Sequence, residues 1–342
     1  MLLERFTVPP AEQVRVSAAA LHRTTAAIFE KLGVPAEDAA LAADVLVTAD
    51  LRGVESHGVS NMLRVYVQQY RDGTLNPRPQ WRLLREAPAT ATLDGDGGLG
   101  IILGPKAMRL AMAKARQVGV GVVTMVNSGH LGAIGYHAML AAQEEMIGVC
   151  MSATRPSVVP TFAAEPRFGT NPLAIAAPAR HEAPVLFDAA TSAIAGNKVR
   201  LAARVGSLLL PGWVADKAGR PIMTESPPLE RGQYFHLPLG STRELGSHKG
   251  YGLALMVEIL SALLAGALPG MLEPGYKHYF AAYDIAAFTD VERFKDTMDA
   301  MLRTLRTTPP APGQTRVLYP GPWPNTKKKR GGAPTAFPCT VK

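Results

Sequence analysis

The chain has only two cysteines in 342 residues, Cys150 and Cys339, and neither sits in a CxxC pair or a Cys/His ligand spacing. That excludes a disulfide framework, leaves no metal site to expect, and points to a reducing compartment, here the cytoplasm. Aromatics are scarce at 6% and do not interleave with basic residues, so there is no platform on which bases could stack. No apolar run reaches membrane-spanning length: Gly252 to Leu263 is interrupted by Glu258. The opening MLLERFTVPPAEQ has an acid at Glu4 and no sustained apolar stretch, so it does not read as a secretory signal. Acidic residues are outnumbered, for a formal charge of +8, but Lys327, Lys328, Lys329, Arg330 and Lys342 supply five of those charges. The remainder is ordinary, and the basic cluster reads as a solvated tail. Neither nucleic acid nor membrane is expected as a partner.

Apolar residues make up 47% of the chain and charged ones 19%, enough to build one large or two modest cores. Amphipathic spacing predicts helices over 11–32 and 36–51, and a third from Ser56, as N-cap, to Gly73. The runs 89–93, 118–126, 146–153 and 172–178 read as strands, with a helix over 101–117 between the first two. Strands interleaved with helices give an α/β chain. After Lys249, GYGLALMVEILSALLAGAL is almost wholly apolar and predicts a deeply buried helix. Residues 290–306 predict a more exposed helix ended by Pro309 and Pro310.

Residues 95–100, GDGGLG, match the dinucleotide fingerprint G-x-G-x-x-G. The fingerprint also needs an acid about twenty residues on to hold a ribose hydroxyl. None occurs between Asp96 and Glu144, so the segment reads as a glycine-rich turn.

Four polar, glycine-punctuated segments lie between apolar elements: 52–64, 127–136, 187–198 and 246–253. Each offers one residue with two readings. His57, beside Ser56, is a general base or a water-exposed turn residue. His130, among Ser128, Gly129, Gly132 and Gly135, lines a loop open to a flat ring or a phosphate, or sits in a plain turn. Asp188, at the end of APVLFD, is a catalytic or ribose-binding acid or a helix cap. Lys249, before Gly250, opposes the dipole of its own helix, so it meets either a ligand anion or a nearby acid.

ESHGVSNMLR, NSGHLGAIGYH, FGTNPLA, VLFDAATSAIAGNKVRLAA and SHKGYGLALMVEIL occur in this order between about residue 10 and Gly321. Together they resemble the malate/L-lactate dehydrogenase family of the non-Rossmann type, which includes ureidoglycolate and sulfolactate dehydrogenases and Δ1-piperideine-2-carboxylate reductases. The resemblance implies a dimeric NAD- or NADP-dependent enzyme acting on a small 2-hydroxy or 2-oxo acid, with a cyclic imine as the alternative substrate. It implies an α/β (α+β) fold with a largely antiparallel sheet in the cofactor domain. The expected division is a helical domain of residues 1–80 with 290–320, and a cofactor domain of 81–289. The proton relay it implies is Ser56–His57 with Asp188, and the second imidazole, His130, either shares that role or contacts the cofactor. Cofactor contacts fall on His130, Leu131, Gly132, Ala133, Ile134, Thr154, Asp188, Ala189, Ala190, Lys249 and Gly250. Where some members bind substrate with an Arg, this chain has Asn61; Arg64, one turn on, and Arg52 are the replacements expected, with Lys249 as another carboxylate partner. A non-catalytic binding homologue is the alternative of a different class.

The ending departs from the family. The resemblance implies an acidic and then arginine-rich segment closing near G-I-P-L, whereas this chain reads PWPNTKKKRGGAPTAFPCTVK from residue 322. Read one base out of frame, Thr335 to Lys342 permits G-I-P-L-H-R-E. The expectation is an atypical tail over 321–342, produced by a frameshift near residue 321.

Overall fold

The computed structural model describes residues 14–230 and 232–321; the 322–342 ending lies outside them. Helices α1 (Ala18–Lys31), α2 (Ala36–Leu51) and α3 (Val59–Arg71) form the N-terminal layer around Phe29, Leu46 and Tyr66, all fully buried. Alanines at 39, 42, 43 and 49 on α2 let its neighbours approach closely. The turn before α3 differs from expectation. Glu55–His57 is a single 3₁₀ turn, the N-cap position is Gly58, and Ser56 does not cap. Asp50 does so remotely: its Oδ2 accepts from the Val59 amide at 2.9 Å. Gly58 permits this, because a Cβ there would lie 1.7 Å from Asp50 Oδ1.

The second layer is a seven-stranded sheet. Its strands are β1 (Arg82–Glu86), β2 (Thr90–Gly98), β3 (Val120–Ser128), β4 (Met146–Ala153), β5 (Leu173–Ala177), β6 (Val185–Ala189) and β9 (Tyr276–Asp284); β7 (Val214–Ala215) and β8 (Phe235–His236) form a separate small ladder. The order is β1-β2-β3-β9-β4-β5-β6, and only β2 with β3 runs parallel. The fold is thus a mixed α/β one on a mostly antiparallel sheet. The parallel pair is joined by α4 (Gly100–Val118), since a parallel connection needs a crossover. GDGGLG therefore does sit between a strand and a helix, but its last glycine has another use. A Cβ on Gly100 would lie 2.2 Å from the Gly129 carbonyl oxygen, so its absence seats the loop before His130 on the start of α4.

One sheet face is covered by α4 and α5 (Gly135–Gln143), where Leu103, Met108, Ala111, Met112 and Ala115 meet Met125, Ala174 and Phe280. Helix α6 (Gly196–Val205) reaches back to the N-terminal layer, its Arg204 Nη1 donating to the Ser60 carbonyl at 3.3 Å. The other sheet face carries α7 (Ser247–Glu258), which runs on into a π-helical turn, Ile259–Leu263. This helix corrects the expectation of deep burial. Leu253, Met256, Ile259, Leu263 and Leu264 are 39–57% exposed, as are Ile175 and Phe187 of the adjoining strands at about that level. Helix α8 (Val291–Thr307), which the sequence expectation groups with residues 1–80, bonds to the turn between β5 and β6. Its Asp299 accepts from the amides of Arg180, His181 and Glu182, its Asp296 and Glu292 pair with Arg180, and its Arg306 pairs with Glu182. These contacts fix α8 to the sheet layer.

Candidate active site

The turn 55–57 and the loop after β3 approach each other across the top of the N-terminal layer. They bring the His57 and His130 rings face to face, with centroids 5.7 Å apart and planes 18° apart. Both side chains are half-buried. Each ring is held at one nitrogen. Ser56 Oγ lies 2.9 Å from His57 Nδ1. His130 Nδ1 accepts from the Gly132 amide at 3.2 Å and lies 2.7 Å from the Tyr66 hydroxyl. An amide can only donate, so in a neutral His130 the proton sits on Nε2, and Tyr66 donates. Asn61, buried, donates to the Ser56 carbonyl at 2.7 Å and fixes the turn.

Burial pushes His57 down to about 4, with the Lys198 charge adding to the effect. Burial likewise pushes His130 down to about 3, helped by His57 and His278. Both imidazoles are neutral near pH 7. Below them the rings continue: Tyr276 lies 5.7 Å from His130 and stacks on His278 at 6.2 Å. His278, fully buried, lies 2.9 Å from Ser152 Oγ and 3.1 Å from the Gly129 carbonyl, anchoring the residue before His130.

Asp188 is placed elsewhere than beside Ser56. Its Oδ2 accepts from the Gly135 amide at 2.8 Å, in the first turn of α5, and the Arg52 charge partly offsets the upward push of burial on its carboxyl. The acid therefore ties β6 to the 130–135 loop. Leu131 and Ile134 are buried, whereas Ala133, Thr154, Ala189 and Ala190 are half-exposed. Lys249 is exposed on the first turn of α7, and Gly250 packs so closely that a Cβ would lie 2.3 Å from the Leu239 carbonyl oxygen. Arg64 is exposed in a groove between α1 and α3 with Ile28, Leu63, Val67 and Arg71. Tyr66 is two residues further along α3, so the two side chains point to opposite sides. Sequence reasoning grouped Ser56, His57 and His130 as the structure does, and it missed Tyr66, Tyr276, His278 and Lys198. Lys198 stood inside the quoted GNK segment; the other three carry no local signal, because only the fold brings them to residue 130.

The chain and its fold have counterparts among known proteins. The family model for malate/L-lactate dehydrogenase matches residues 16–333. The malate dehydrogenase of Pyrococcus abyssi is 40% identical over 316 residues, covering 90% of this chain and 86% of that protein. The L-sulfolactate dehydrogenase of Methanocaldococcus jannaschii is 38% identical, covering 86% of this chain and 84% of that one. The crystal structure of malate dehydrogenase from Entamoeba histolytica superposes with a TM-score of 0.85 at 35% identity, covering 90% and 89% of the two chains. Fold and relatives define an oxidoreductase of the dehydrogenase class. The chain belongs to the malate/L-lactate dehydrogenase family.

Proposed function

We propose that this protein moves a hydride between NAD or NADP and C2 of a small 2-hydroxy or 2-oxo acid, with His57 and His130 working on the substrate oxygen. The observation that carries this is the stacked pair of neutral rings, each tethered at Nδ1 and leaving Nε2 for a ligand. The residues beside the pair suit a nicotinamide dinucleotide. Ala133, Ala189 and Ala190 offer small, half-exposed side chains, and the Gly135–Asp188 hydrogen bond holds their two loops together. We assign the binding surface to His130 through Ile134, Thr154, Asp188 through Ala190, Lys249 and Gly250, without a Rossmann unit. When bound, the nicotinamide exchanges the hydride with substrate C2.

The chain's residues divide the proton work. His130 presents an Nε2–H, a donor to the substrate oxygen. His57 can pass its Nδ1 proton to a bond with Ser56 and so offer Nε2 as the base that takes the hydroxyl proton in oxidation, returning it in reduction. Lys198, whose charge is felt by His57, is the cation we assign to the substrate carboxylate, in place of Arg64 and Arg52. A charge-assisted contact of that kind is worth about 1.5–3 kcal/mol. The exposed apolar stripe of α7, with Ile175 and Phe187, suits a second copy of the chain, and we assign the working form as a homodimer in the cytoplasm.

The test is a panel of pyruvate, oxaloacetate, ureidoglycolate and Δ1-piperideine-2-carboxylate with both cofactors in both reduced and oxidised forms. Turnover of at least one acid is expected. No turnover with any member, together with no change in NADH or NADPH fluorescence on titration, refutes the assignment. Preference for the imine moves the substrate and leaves the site standing. A sedimentation mass of one chain removes the dimer.

A further inference from the structure

The one charge that interrupts the apolar run 252–263 is buried by the fold. Glu258, the last residue of α7, is 1% exposed and directly precedes the π-helical turn. Its Oε1 accepts from Asn171 Nδ2 and its Oε2 from the Gly270 amide, both at 3.0 Å. Asn171 is fully buried with φ +34°, a backbone conformation uncommon outside glycine. Its Nδ2 also donates to the Ala254 carbonyl at 3.2 Å, and its Oδ1 accepts from the Thr154 amide at 2.9 Å. Its main-chain carbonyl accepts from Thr191 Oγ1 at 3.1 Å. Gly169 leaves this cluster its room, since a Cβ there would lie 1.9 Å from Thr154 Oγ1 and 2.7 Å from Asn171 Oδ1.

One buried amide thus joins the end of β4, the 189–191 loop and α7, three of the segments assigned above to the cofactor. Burying a carboxylate in an apolar helix is unfavourable unless its oxygens are satisfied, and here both are used on N–H groups of other segments. An apolar side chain would pack the helix as well, without fixing the Thr154 amide.

We propose that Asn171 and Glu258 form a positioning pair that sets the Thr154 and Ala189–Ala190 backbone for nicotinamide binding, a proposal that rests on the cofactor reading above. The two residues touch no reacting atom in this scheme and act through Thr154 and Thr191.

The experiment uses Asn171→Asp, Glu258→Gln and the double variant in the full-length chain. Either single change sets like groups against each other, oxygen on oxygen or N–H on N–H. The double change reverses the polarity of the pair. The new side-chain amide at position 258 donates to the new carboxylate at position 171 and still accepts from the Gly270 amide. That carboxylate in turn still accepts from the Thr154 amide. We expect each single variant to raise the cofactor KM about tenfold, the size of one lost buried hydrogen bond, with kcat changed much less. Amide hydrogen exchange at Thr154 should quicken in both singles without cofactor present. The double variant should recover most of both readouts, the lost bond to the Ala254 carbonyl accounting for the rest. Unchanged exchange or unchanged cofactor KM in the singles overturns the proposal, as does a loss of thermal stability that the double variant does not lessen. Should a single variant not fold, a double variant that folds with near-wild-type exchange at Thr154 supports the pairing, and one that does not overturns it. If the wild-type chain binds no nicotinamide, the functional reading falls, and the exchange measurement still decides whether the pair holds this loop.

Discussion

Two pairs of histidines share one electrostatic condition and differ in everything else. His57 and His130 stack at the cleft, half-buried, each tethered at Nδ1. His137 and His278 are fully buried, and each has Nε2 at a main-chain carbonyl, that of Leu131 at 2.9 Å and that of Gly129 at 3.1 Å. Burial holds all four at about 3 to 4, so a depressed imidazole is not by itself a mark of chemistry here. What separates the pairs is where Nε2 goes, since His137 too keeps a nitrogen, its buried Nδ1, without a hydrogen-bond partner. In the cleft Nε2 is left for a ligand; in the core it already bonds to the protein, where it braces the loop that carries His130.

The sharpest way to break that contrast is to remove one ring from each side of it. His57→Ala or His130→Ala should lower kcat by about 10²–10⁴-fold, the usual worth of acid–base help, with the melting temperature little changed. His137→Gln should do the reverse. It lies edge-on to Tyr136 and Phe280 in a packed core, so it should lose about 1–3 kcal/mol of stability and keep its turnover per folded molecule. Steady-state kinetics beside thermal unfolding of the same preparations decides it, and equal kinetic losses in all three variants would erase the distinction.

A smaller effect sharpens the roles inside the cleft. Tyr66→Phe removes one of two donors to His130 Nδ1 and leaves the Gly132 amide to keep the tautomer. About a tenfold loss in kcat/KM is expected, one hydrogen bond to a partly screened group. A loss as large as that of His130→Ala would mean that Tyr66 moves the proton itself.

Most elements that position the site were legible in the sequence, for reasons that can be traced to particular residues. The span 36–51 is predicted and observed to the residue, because Pro35 and the alanine-rich apolar face fix both its start and its period. The strand 146–153 is equally clear, being apolar on both faces, with α5 packed on one and α7 on the other. The apolar run after Lys249 gave the helix but not its burial, since composition cannot tell a face turned to the core from one left uncovered in a single chain. His57 and His130 stood out because each sits in a polar, glycine-marked turn. Tyr66 did not, because it falls on the apolar period of α3 and reads there as core, and only the β3 loop arriving from residue 130 makes its hydroxyl useful. Asp188 was found as an acid at a strand end, yet its partner is an amide of α5, a long-range pairing that no spacing encodes. Arg64, expected at the substrate, lies exposed in the groove between α1 and α3, two residues before Tyr66 and on the other side of the helix.

The smallest expected effect is in pH dependence, and it tests whether the shared burial of the imidazoles is real. His57, His130, His137, His236 and His278 all lie below the ordinary value near 6.5, so between there and about 3 to 4 the unfolded chain binds more protons than the folded one. Their contribution is therefore fully present above about pH 6.5 and is lost as pH falls through the folded values. Asp50 works the other way. Burial raises it to about 7, so it takes up its proton on folding between 3.8 and 7 and offsets part of the loss. The melting temperature should be level from neutral pH down to about 6.5 and then decline. His137→Gln should make that decline shallower, because one of the five groups no longer titrates. Catalysis separates from stability in this window: with His57 neutral down to about 4, oxidative kcat/KM should persist well below pH 6.5 for as long as the chain stays folded. An acid limb centred near 6.5, in a chain whose melting temperature has not moved, would place His57 in water and undo the contrast between cleft and core from the cleft side.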